Sequence, residues 1–251
     1  MAALHSTGDG PALVLLHCLG VDRRLWDFAL PALTKRHRVL TLDFPGHGES
    51  PVPAHGYTIE DLSAQLAALL ARDNVARAHV AGISLGGLVA QHFAATYPER
   101  VDRLVLIDTT PRYTDELRAM WAERAATARK QGVRALVDGL LKIWFTDAFV
   151  AADPPAVRYV RNTLSRASGE GYALACEALA AADLRALAAK IKAPTLVVCG
   201  EQDIPSFLAA ARWLAAEIAD AKLGWLTPAR HASVLEQPEA FLKLLGEFLR
   251  G

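Results

Sequence analysis

Short, nearly continuous runs of Val, Leu and Ile recur along the chain, at residues 12–17, 38–44, 78–83, 104–108, 195–199 and 222–226. They lack the polar alternation of a strand with one wet face, so each reads as a strand covered on both sides. Between them apolar residues return every three or four positions, predicting helices over 58–72, 85–97, 207–219 and 238–250. Thr58 followed by Asp61 has the spacing of a capping box at the start of the first. Strands alternating with helices predict an α/β fold with a mostly parallel sheet and crossover helices.

The rhythm breaks between 111 and 189, where no run reads as a strand and Ala, Arg, Leu and Trp recur at helical spacing. Several helices inserted between two strands predict a lid over the carboxyl edge of the sheet. The chain therefore divides into core (1–110), lid (111–189) and core again (190–251), with the lid part of one folding unit.

Of the 251 residues, 52% are hydrophobic, enough for a large core, and the formal net charge is zero. Acidic and basic residues interleave without long runs, which argues against a nucleic-acid or anionic-membrane partner and for a small molecule. Cys18, Cys176 and Cys199 lie far apart with no CxxC pair, as expected of free thiols in a reducing compartment. No signal peptide or membrane-length apolar run is apparent, so the expected location is cytoplasmic.

The candidate chemistry starts at Gly82-Ile83-Ser84-Leu85-Gly86, between a predicted strand and a predicted helix. A serine there sits on a sharp turn that tolerates only small neighbours, beside free helix N–H groups that favour a developing anion. Its hydroxyl needs a base to become nucleophilic. His231, after the last strand and before the last helix, is the best placed. His92 falls within a helix, His79 begins a strand, and His5, His37 and His55 read as surface or turn residues. The acid orienting that base is Asp203, after the run 195–199, with Asp108 as rival and Glu201 as a third choice. The oxyanion donors expected are the N–H groups of Leu85 and of Leu19, in the turn His17-Cys18-Leu19-Gly20. His47, in Asp43-Phe44-Pro45-Gly46-His47-Gly48-Glu49-Ser50, reads as structural. Neither HExxH, nor a Cys/His cluster, nor GxxxxGK[ST] occurs, so no metal or cofactor is expected.

The stretches HCLG, DFPGHGES, GISLGG, GEQD and ARHASVLEQPEAF stand in the order of the α/β-hydrolase superfamily, which the chain resembles over nearly its whole length. That resemblance implies an α/β-hydrolase fold, a mostly parallel sheet flanked by helices, with the lid inserted after the sixth core strand. Only about a dozen residues precede the first long run, so the N-terminal edge strands are shortened. The lid resembles that of the 3-oxoadipate enol-lactonases at Met120-Trp121, Arg124, Trp144-Phe145-Thr146, Gly169-Glu170-Gly171-Tyr172-Ala173 and Ala182-Asp183-Leu184-Arg185. This implies hydrolysis of an enol-lactone in aromatic-compound breakdown. His17-Cys18 and Pro45 depart from the family pattern.

Trp121, Trp144 and Phe145 are candidate apolar walls for the substrate. Arg129, Arg134, Arg158 and Arg161 are available for a substrate carboxylate, although each taken singly reads as a solvated helix face. Readings kept open are a small-ester carboxylesterase, a C–C bond hydrolase, a cofactor-free haloperoxidase or dioxygenase, and a receptor-like binding protein.

Overall fold

The computed structural model describes residues 4–250. Its strands are β1 (His5–Thr7), β2 (Ala12–Leu16), β3 (Arg38–Thr41), β4 (Ala78–Ile83), β5 (Val101–Ile107), β6 (Thr195–Gly200) and β7 (Ala221–Leu226). They form one sheet in the order β1-β3-β2-β4-β5-β6-β7. Only β1 runs antiparallel, pairing His5 with Thr41 at the edge; the other five pairings are parallel. The central strands carry Leu13–Leu16, Val80–Ile83 and Leu104–Ile107 with almost no exposed surface, because helices cover both faces.

The core helices are α1 (Leu30–Leu33), α2 (Ile59–Arg72) and α3 (Leu85–Thr96). Thr58 caps α2 by accepting the Asp61 amide, while the Asp61 carboxylate accepts the Thr58 amide at 2.9 Å. Between β5 and β6 lie α4 (Asp115–Gln131), α5 (Val137–Trp144), α6 (Asp147–Ala152), α7 (Pro155–Arg166), α8 (Gly169–Ala181) and α9 (Arg185–Ala188). Thr114, Thr146 and Ser168 start α4, α6 and α8 by accepting an amide from the first turn. The insertion enters and leaves at one place: Arg112 bridges Asp183, and the Leu184 amide donates to the Pro111 carbonyl at 2.8 Å. The chain ends with α10 (Pro205–Glu217), α11 (Ser233–Glu236) and α12 (Pro238–Arg250).

The insertion follows the fifth strand in this chain's own numbering. The count of six presumes a further N-terminal edge strand, which the described residues do not contain; β1, three residues long, forms that edge of the sheet. No helix of the described residues is long and apolar enough to cross a membrane.

Candidate active site

Ser84, Asp203, His231 and the Leu19 and Leu85 amides all stand beyond the carboxyl ends of parallel strands, where the loops of an open α/β sheet converge. Ser84 joins β4 to α3 with φ 53° and ψ −111°, a left-handed conformation that L-residues seldom adopt. Two bonds hold the turn: the Ser84 amide donates to the Ile107 carbonyl at 2.9 Å, and the Thr109 hydroxyl donates to the Ser84 carbonyl at 2.9 Å. The turn is too tight for side chains. A Cβ on Gly82 would lie 2.1 Å from the Gly86 carbonyl oxygen.

His231, in the loop after β7, places Nε2 at 3.1 Å from Ser84 Oγ and Nδ1 at 2.8 Å from Asp203 Oδ2. The tautomer that satisfies both contacts has Nδ1–H donating to Asp203 and the serine hydroxyl donating to Nε2. The other Asp203 oxygen accepts the Ile204 amide at 2.7 Å, which fixes the carboxylate. Burial disfavours the imidazolium, but the Asp203 charge and hydrogen bond outweigh it and raise the His231 pKa above its ordinary value, with Asp108 adding to the effect.

Asp108 has a different place. Its Oδ1 accepts the Gly200 amide at 2.9 Å, and its Oδ2 accepts the Ser233 amide and hydroxyl at 3.1 and 2.6 Å. It ties together the loops that carry Asp203 and His231. Burial, then the Asp203 charge, pushes its pKa up to about 7. Cys199 shares this cluster, but both carboxylates already use both oxygens, and burial raises the thiol far above its ordinary pKa. Each of the three is held by hydrogen bonds to groups outside the trio. The Glu201 side chain is exposed.

Leu19 and Leu85 are buried, and among the described residues neither amide has a hydrogen-bond partner. They are brought together because Gly86 stands against the end of β2: a Cβ there would lie 2.5 Å from the Leu16 and 2.7 Å from the His17 carbonyl oxygen. His17 shapes that turn by pairing Nδ1 with the Cys18 carbonyl (2.8 Å) and accepting the Phe44 amide at Nε2 (3.0 Å). Burial lowers the His17 pKa and, with His17 nearby, pushes that of His47 to about 4, so both imidazoles are neutral packing groups. Asp43 pins the second turn by accepting the Arg23 and Glu49 amides.

Of the three candidate walls, Trp121 connects to the site. Its ring meets Tyr113 edge-on at 5.3 Å, Tyr113 meets Phe207 at 6.2 Å, and Phe207 lies 4.4 Å from the His231 ring. Trp144 acts through its backbone, its carbonyl accepting the Ala232 amide at 2.8 Å. Phe145 is wholly buried, its ring 5.3 Å from that of Phe149. A groove of about 320 Å³ between α4 and α10 reaches Tyr113 and Phe207 from outside.

Three roles escape a reading of the sequence, those of Tyr113, Phe207 and Glu236. Glu236, buried in α11, accepts the Thr146 amide and hydroxyl with Oε1 and the Arg230 amide with Oε2, fastening the lid to the His231 loop. Of the lid arginines considered as anion ligands, Arg129 is paired with Glu170 and Glu177, and Arg158 and Arg161 with Asp153. Arg134 is exposed.

Residues 11–238 match the family described as the alpha/beta hydrolase fold. The 3-oxoadipate enol-lactonase 2 of Acinetobacter baylyi is 34% identical over 95% of this chain and 88% of its own length. A pimeloyl-[acyl-carrier protein] methyl ester esterase of Chromobacterium violaceum is also 34% identical, over 98% of this chain and 97% of its own. The crystal structure of the enol-lactonase from Burkholderia xenovorans LB400 superposes with a TM-score of 0.95 at 37% identity, covering all of this chain and 96% of that one.

Proposed function

This chain belongs to the alpha/beta hydrolase fold family, and from that premise we propose that it is a Ser84-dependent hydrolase of a carboxylic ester or lactone, with 3-oxoadipate enol-lactone as its substrate. The observation that carries the reading is His231 set between Ser84 Oγ and Asp203, at 3.1 and 2.8 Å. A nucleophile, its base and an orienting acid in that order are the requirements of acyl transfer.

In the reaction this implies, His231 takes the hydroxyl proton as Ser84 attacks the ring carbonyl. The Leu19 and Leu85 amides donate to the tetrahedral oxyanion. His231 then passes its proton to the departing enol oxygen, the ring opens, and an acyl-enzyme remains on Ser84. Water, deprotonated by the same histidine, releases the acid. Asp203 holds the imidazole in its tautomer and offsets its charge throughout.

The lactone assignment is supported by two relatives named as 3-oxoadipate enol-lactonases and by the enol-lactonase structure of matching fold and lid. A second reading, a carboxylic methyl ester as substrate, is favoured by the equal identity to the pimeloyl methyl ester esterase. Three buried cysteines without a disulfide suit work in a reducing cytoplasm.

Steady-state kcat/KM on the enol-lactone beside a short p-nitrophenyl ester tests the assignment. A lactone preference of about a thousandfold, roughly 4 kcal/mol of transition-state discrimination, supports it. Equal rates, or a preference for the ester, leave a hydrolase of other specificity.

A further inference from the structure

The two amides that face the oxyanion are not supported alike. Leu85 opens α3, which packs on the central strands, so its N–H belongs to the core. Leu19 belongs to the turn 17–22, which the core anchors at its start. There His17 pairs with the Cys18 carbonyl at 2.8 Å and accepts the Phe44 amide at 3.0 Å. The far end of the turn has a different support. Gly20 to Arg24 form one wall of a groove of about 800 Å³, and the lid helix α7, from Tyr159 to Arg166, forms part of the opposite wall.

Two contacts bridge these walls. At Gly20 the chain turns with φ 79°, and a Cβ there would lie 2.5 Å from Leu164 Cδ2 of α7 and 3.0 Å from Tyr172 Cε2 of α8. The lid helices thus rest on the backbone next to Leu19. Three residues beyond Leu19, the Tyr159 hydroxyl reaches Asp22. It lies 3.0 Å from Oδ1 and 3.1 Å from the carbonyl oxygen, either of which accepts its proton, and 3.4 Å from the Asp22 amide, which donates to it. Among the described residues these are the hydrogen bonds that join α7 to the turn. Asp22 is a firm anchor: it is 1% exposed, and its carboxylate accepts the Arg24 amide at 3.0 Å and the Arg24 guanidinium at 2.6 Å. A hydroxyl shared between a buried carboxylate and the same residue's backbone fixes that backbone in place. The Tyr159 hydroxyl makes no hydrogen bond to Ser84, Asp203 or His231, so any effect it has on the reaction runs through the turn.

We infer that Tyr159 is a positioning residue for acyl transfer: seated on Asp22, it holds the turn so that the Leu19 amide meets the oxyanion, and it makes the closed lid a working part of the oxyanion hole. This role rests on the reading of Ser84 as nucleophile and of Leu19 as a donor, and extends it to a side chain of the lid. Oxyanion donors act at about 2.7–3.1 Å from the charge that develops. A small drift of the turn therefore slows the reaction while leaving the contacts of the bound substrate as they were.

The test sets Tyr159→Phe beside the wild type, with p-nitrophenyl acetate as substrate and phenylboronic acid as probe. Ser84 Oγ adds to boron, its proton passes to His231, and the tetrahedral boronate stands in the place of the oxyanion intermediate. Acylation and deacylation use the same two amides, so kcat is expected to fall about 5- to 50-fold with KM within about twofold. That is less than the loss of about 10²- to 10³-fold for deleting a donor outright. Boronate affinity is expected to weaken in step with kcat. Arg161→Gln, on the same helix but paired with Asp153, is expected to stay within about twofold of the wild type in both readouts. Should Tyr159→Phe fold poorly, Asp22→Asn keeps the side chain's size and weakens the acceptor, and both readouts are expected to drop about two- to fivefold. An unchanged kcat, a lower kcat with boronate affinity unaltered, or an equal loss in Arg161→Gln overturns the positioning role. A wild type that neither cleaves the ester nor binds the boronate overturns the reading of Ser84 itself, and the role of Tyr159 with it.

Discussion

Asp108 accepts both the amide and the hydroxyl of Ser233, at 3.1 and 2.6 Å, and so grips the loop of His231 two residues from the imidazole. Asp203 alone reaches Nδ1. The two acids are therefore separable. Asp203→Asn is expected to lower kcat by about 10⁴ with little change in melting temperature, since the wrong tautomer follows from loss of the acceptor. Asp108→Asn leaves a buried donor facing donors and is expected to cost about 2–3 kcal/mol of stability, roughly 5–10 °C in Tm, with a much smaller loss of kcat. Thermal melts and steady-state kinetics on the two variants check it.

Activity and one part of stability should move in opposite directions with pH. His231 serves as base only when neutral, and its pKa lies above 6.5, so kcat/KM is expected to fall as pH drops through that raised value. The folded state binds the imidazole proton more tightly than the unfolded chain does. That stabilisation is fully present below pH 6.5 and is lost as pH rises through the folded pKa. Asp108, raised to about 7, favours the folded state in its protonated form, and this contribution disappears as pH climbs from about 4 to 7. Tm measured from pH 5 to 9 for wild type, His231→Gln and Asp108→Asn checks the sign: each variant is expected to flatten the decline.

Gly86→Ala should damage the site by a purely steric route. Its Cβ would press on the Leu16 and His17 carbonyl oxygens at 2.5 and 2.7 Å, driving α3 from β2 and parting the Leu85 amide from the Leu19 turn. The expected cost is about 1–3 kcal/mol of stability together with a hundredfold or greater loss of kcat. Gly139→Ala, where a Cβ meets nothing within 4 Å, serves as the neutral control.

Glu236→Gln tests the fastening of lid to base. It replaces a carboxylate that accepts three hydrogen bonds, two of them from Thr146, with an amide able to satisfy only part of the set. A loss of about 1.5–3 kcal/mol is expected. Hydrogen exchange should rise at residues 144–147 and 230–233 while the central strands stay protected.

The elements legible in the sequence were those whose burial is uniform. The strands at 78–83 and 195–199 are covered on both faces and show as nearly continuous apolar runs, interrupted only by His79 and Thr195. β1 does not, because an edge strand reading His-Ser-Thr is made by its pairing with β3 and not by hydrophobicity. The start of β5 escaped for a related reason: Asp102 and Arg103 are half-exposed polar residues that the run at 104–108 does not include. Ser84, Asp203 and His231 could be named as candidates because each follows a strand in a loop with its own local signal. Tyr113 and Phe207 carry no such signal. They come from distant parts of the chain and meet only when it folds, their rings 6.2 Å apart. Of the four lid arginines that the sequence offers, Arg129, Arg158 and Arg161 pair with acids and Arg134 is exposed, which fits the solvated helix face read for each.

The nucleophile is the centre of the account, and a covalent adduct reports on it most directly. Wild type and Ser84→Ala would be treated with a small fluorophosphonate and examined by intact and peptide mass spectrometry. One adduct per chain is expected, located on Ser84, with esterase activity lost in proportion and neither labelling nor activity in Ser84→Ala. Labelling at another residue, or Ser84→Ala retaining most of its turnover, would contradict it.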